Sequence, residues 1–261
     1  MAQPVQDNST VAQAGTLKEN ITLSELPPDL LGNIFNKFID DLKLFTMLCC
    51  VDKRINKSVT HFWAGRDLNL KQICPELTII DAKAQGKECG DEPKFNQFEV
   101  WKWVKKLAPH IEDKAGLTLL TMTKGTTLSQ LAAIAAKDGK TVKLVWPAAN
   151  QIDHPIDTSY RILISNSVFM KSSGKYENSE NRLLEHGCEM PTAVEYVALG
   201  IYTSKIFKGC LSLVGRKPTS AHARNRIDKY SLLVKSIGND NLYILRGDTF
   251  NHYGAAGRRK F

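Results

Sequence analysis

His186 and Cys188 stand one residue apart, and Cys210 follows 22 residues after Cys188. An imidazole beside a thiol is the pairing that nucleophilic catalysis uses to generate a thiolate. No Asn or Asp is placed to orient the imidazole, and adjacency in sequence does not supply the required geometry. The simpler reading of His186-Gly187-Cys188 is a helix end, so no catalytic residue and no enzyme activity are expected. Six cysteines occupy positions 49, 50, 74, 89, 188 and 210, and none forms a Cys-x-x-Cys pair. They read as free thiols of a reducing compartment. A structural zinc ion needs four converging ligands, and these are scattered, so no metal and no cofactor are expected.

Two further stretches could hold an anion. Lys124-Gly125-Thr126-Thr127 falls between a strand-like run and a helix-like run, where helix N–H groups can receive a phosphate or carboxylate. It lacks the Gly-Lys pair of a phosphate loop, so a plain turn is the competing reading. Residues 216–226 form a basic loop in which Arg216, Lys217, His222, Arg224 and Arg226 could grip an acidic partner or nucleic acid. A solvated surface explains the same charges.

The charge distribution separates two regions. Residues 1–115 hold 15 Lys+Arg against 16 Asp+Glu, whereas residues 116–261 hold 20 against 11, within a net charge of +8. The basic surplus therefore belongs to the C-terminal half. No apolar run approaches the ~20 residues that span a bilayer. The polar first 21 residues hold few large apolar groups and read as a flexible leader without a secretory signal, which predicts a cytoplasmic protein.

The elements that must position these residues follow from periodicity. Apolar residues recur at helical spacing through Leu30, Leu31, Ile34, Phe35 and Phe38, through Leu42, Phe45, Leu48 and Cys49, and through Ile55, Val59, Phe62 and Trp63. These predict three short helices over 22–70, each too short to be stable alone. Residues 71–115 read as a connector followed by a packing helix over 95–107. Trp101 and Trp103 cannot share one face of that helix. From 116 onward, strands are expected at 117–122, 142–146 (buried) and 160–169, helices at 128–136, 178–186 and 192–207, and a hairpin over 231–246. The tail 254–261 reads as a loose basic end. The fold class is α+β: a helical unit followed by a mixed domain over 116–261.

The helical unit resembles the F-box. The pattern of that family appears as Leu26-Pro27, Asp29-Leu30-Leu31, Ile34-Phe35, Phe38, Asp41-Leu42, Cys50-Val51, Lys53-Arg54 and Trp63. It departs from the family at Ile55, where an aromatic is usual, and at the inserted Asp52. The resemblance implies binding to the Skp-type adaptor of a cullin-based SCF ubiquitin ligase, with Leu26, Pro27, Leu30, Leu31, Ile34, Phe35 and Leu42 as the contact. The C-terminal region resembles a domain that accompanies F-boxes in proteins of chlamydia-like symbionts of amoebae. Residues 160–166, 186–193 and 253–260 carry that likeness. It implies a bacterial effector working in host cytoplasm, and the family supplies no activity to carry over. The function expected is a substrate receptor that recruits an unknown protein target. The alternatives are a basic nucleic-acid- or acidic-protein-binding protein and a small enzyme with a C-terminal cleft.

Overall fold

The computed structural model describes residues 26–27, 30–31, 33–34, 57, 70, 74, 76–86, 93–111, 116–145, 149–167, 176–207, 220–227, 230–237, 240–247 and 254–261. The chain divides into two units, Met1–Phe62 and Trp63–Phe261. In the first, Leu30, Leu31, Asn33, Ile34 and Lys57 are helical. The amides of Leu30 and Leu31 both donate to the Pro27 carbonyl at 3.1 Å, which starts the helix close to the proline pair. The rest of the three helices expected over 22–70 falls outside the described residues, apart from the helical Leu70.

The second unit is α+β, with eight strands in two four-stranded sheets among the described residues. The first sheet contains β1 (Leu77–Ile80), β2 (Leu117–Met122), β4 (Tyr160–Ser165) and β8 (Arg258–Lys260), in the order β1-β2-β4-β8. The second contains β3 (Thr141–Leu144), β5 (Ser220–Ile227), β6 (Tyr230–Ile237) and β7 (Asn241–Gly247), in the order β3-β7-β6-β5. β1 runs parallel to β2 and β3 parallel to β7; the other pairings are antiparallel. All six residues of β2 are buried, as expected for a strand covered on both faces.

The helices are α1 (Gln97–Leu107), α2 (Leu128–Lys137), the short α3 (Ala149–Ile152), α4 (Tyr176–Glu185) and α5 (Ala193–Phe207). α1 starts where the Asn96 side chain accepts from the amides of Phe98 and Glu99. α2 starts with a reciprocal capping box between Thr127 and Gln130. Residues 196–202 of α5 are buried without a break, because the helix packs against α2, β2, β5 and β6. A helix apolar all round belongs in the interior. Tyr196, Val197, Leu199 and Ile201 join Leu120, Ile162, Leu232 and Ile244 in one core cluster. Each fully buried aliphatic side chain there contributes about 1.5–3 kcal/mol by area.

Four local expectations change. Part of the stretch read as connector is β1, because four residues of it pair in register with β2. β3 takes an edge position and is half-exposed, where a buried strand was expected. The basic loop includes β5, a strand with a register shift between Ala223 and Arg226. The tail expected to be loose is β8, and Gly254 to Arg258 are buried. Backbone pairing with distant strands decides all four. Local composition does not report it.

Candidate functional site

Cys188 lies three residues beyond the end of α4. The chain leaves the helix through Gly187, in the left-handed region at φ +72°, and the Cys188 amide returns to the Leu183 carbonyl at 2.8 Å. That is a helix C-terminus closed by glycine. The Cys188 side chain is fully buried, and burial pushes its thiol up to about 11. The thiol is therefore protonated at neutral pH and is no nucleophile. His186 faces His110, with ring centroids 4.2 Å apart, and burial together with His110 lowers its pKa. Cys210 lies outside the described residues.

The turn at 124–127 does not offer its amides to an anion. Gly125, at φ +77°, donates to the Ile156 carbonyl at 2.7 Å, and Thr126 donates to Thr123 at 3.2 Å. At the start of α2, Gln130 donates to the Thr127 hydroxyl. The Ser129 amide reaches both carboxylate oxygens of Asp153, at 3.2 and 3.3 Å, and the Ser129 hydroxyl donates to the same group. Asp153 thus sits where an external anion would bind, at the positive end of the helix dipole. This is a structural cap.

The basic residues separate. His222 is completely buried on β5, edge-on to Tyr176 at 5.7 Å and 3.4 Å from the Ser231 hydroxyl. The side chain expected as a contact is thus closed to solvent in this structure. Arg224 is half-exposed and pairs with Glu189 at 2.6 Å. Arg226 lies on β5 with its side chain outside the described set, and Arg216 and Lys217 fall outside the described residues.

Sequence reasoning missed a cluster around Glu195. This carboxylate is fully buried in the first turn of α5, where it accepts from the Thr192 amide at 2.7 Å and the Tyr160 hydroxyl at 2.8 Å. Arg258 of β8 completes it, binding Glu195 through one guanidinium nitrogen at 2.5 Å and Glu189 through the other at 2.7 Å. Burial, with Glu195 alongside, pushes the Tyr160 phenol far above its ordinary value. Lys260 lies 4.2 Å over the Tyr160 ring. The Thr192-x-x-Glu195 capping signature was legible in the sequence. Its ionic partner lies 63 residues away and was not. Nearby, Trp103 lies between Lys106 and Arg259, at 4.3 and 4.6 Å, while Trp101 is in the core. The two tryptophans do occupy different faces of α1.

Of the expected adaptor-contact residues, Leu26 and Ile34 are half-buried, Pro27 is exposed and Leu31 is buried. Leu30 is 50% exposed, comparable with Leu184 of α4 at 57%. Phe35 and Leu42 lie outside the described residues. Among the described residues no helix is long and apolar enough to cross a membrane, and no group of three or more His, Cys, Asp or Glu could hold a metal ion.

Comparison with known proteins returns no match: no family model, no curated protein and no solved structure.

Proposed function

We propose that this chain is an F-box-type protein that docks on a Skp-type adaptor through its first unit and presents its basic second unit to a protein target. The observation that carries the reading is the order and spacing of Leu26-Pro27, Asp29-Leu30-Leu31 and Ile34-Phe35. Leu31 is buried at 1% exposure while its neighbour Leu30 keeps half its surface in solvent. Leu30 is thus open to a partner, as a contact residue must be.

The mechanism is tethering. A ligase that holds this chain brings its ubiquitin carrier close to whatever the second unit binds, which raises effective concentration without chemistry by the chain itself. The site of action is the cytoplasm of a host cell if the chain is a bacterial effector. The test is co-purification with a Skp-type adaptor, followed by titration of Leu30→Asp. Because Leu30 is exposed, the substitution leaves the fold intact, and adaptor affinity falls by about tenfold or more. Equal affinity of variant and parent, or no adaptor binding by the parent, rejects the proposal.

A further inference from the structure

α2 carries an open groove of about 570 Å³ along its outer face. Its lining runs from the turn at Lys124 past Gln130, Ala133 and Ile134 to Lys137, with Tyr202 contributed by α5. Ten helical residues cover roughly 15 Å at the rise of an α-helix. An extended chain covers that distance with about four or five residues.

The charges at the two ends are unmatched. Lys124 and Lys137 are exposed, and neither meets a carboxylate among the described residues. The acidic groups on adjoining turns are engaged elsewhere: Asp138 pairs with Lys205 at 3.1 Å, and Asp153 caps α2. Between the lysines the wall is apolar, at Ala133 and Ile134. Tyr202 is 3% exposed, and its phenol oxygen has no hydrogen-bond partner. Tyr202 therefore lines the groove without presenting its hydroxyl to it.

We propose that this groove binds a short, extended acidic segment of another protein. Its carboxylates pair with Lys124 and Lys137, and an apolar residue between them packs on Ala133 and Ile134. As the seat of a ligase target the groove rests on the adaptor-docking reading; as a peptide site it stands on α2 and α5 alone.

The probe is a fluorescein-labelled peptide, Glu-Asp-Leu-Asp-Glu, titrated into the full chain by fluorescence anisotropy. Saturable binding is expected, weakened by raised salt. Charge reversal of both lysines, Lys124→Glu with Lys137→Glu, weakens it by at least about tenfold. Reversal of the exposed Lys83 and Lys94 leaves it unchanged. Equal binding by the Lys124/Lys137 variant, or equal binding of a Lys-Arg-Leu-Arg-Lys peptide, overturns the proposal. So does binding of anilinonaphthalene sulfonate at these lysines without peptide binding, which marks a small-molecule site. In the parent chain the two readings fail separately. Peptide bound without adaptor rejects docking only, and adaptor bound without peptide rejects the groove only.

Discussion

Residue identity set the list of reactive groups, and burial decided what each can do. Cys188 is the clearest case. Its thiol is held up to about 11, chiefly by burial, while the unfolded thiol ionises near its ordinary value of 9.0. The unfolded state therefore loses the proton first as pH rises. The stability this group contributes is full below pH 9.0 and is lost between 9.0 and about 11. Urea midpoints of the parent should accordingly fall more steeply over that interval than those of Cys188→Ala. Parallel slopes would show that the thiol is open to water in the folded chain. His222 teaches the same lesson for charge: counted by type it was a basic contact residue, and by position it belongs to the core.

Elements with strong local signals were legible. β2 and α2 lie almost where periodicity places them, because an apolar run and a Thr-x-x-Gln cap act within one segment. β1, β5 and β8 were not legible, since each exists by pairing with a strand distant in sequence. β8 matters most. Its segment links the two sheets: Gly254 bridges Ala221 of β5, and Arg258 pairs with Ile164 of β4. The amides of Ala256 and Gly257 donate to Tyr196 and Ser165. Arg258 then neutralises Glu195 in a site closed to water. Removing one member of such a buried pair leaves an uncompensated charge, so Arg258→Ala should cost roughly 3–5 kcal/mol by urea denaturation. Arg258→Met combined with Glu195→Gln should recover most of that loss. A cost for Arg258→Ala below about 1 kcal/mol would mean that the pair behaves as an exposed one.

For the whole molecule, the contact pattern separates Met1–Phe62 from Trp63–Phe261, and among the described residues the core cluster lies in the second unit. A fragment of residues 63–261 should therefore unfold in a single cooperative transition followed by near- and far-ultraviolet circular dichroism. A broad, non-coincident transition would show that the first unit is needed to complete that core. Alone, the sequence determined the α+β class, the excess of basic charge toward the C-terminus, and the spacing of Leu26, Leu30, Leu31 and Ile34. These depend on composition and local period, which are written in consecutive residues. The tertiary structure decided which charges are spent internally and which remain available. Arg258 and Glu195 neutralise each other in the interior, while Lys124 and Lys137 are left facing solvent along one groove. The reason is that an ion pair forms between groups the fold brings together, and chain order holds no record of that distance.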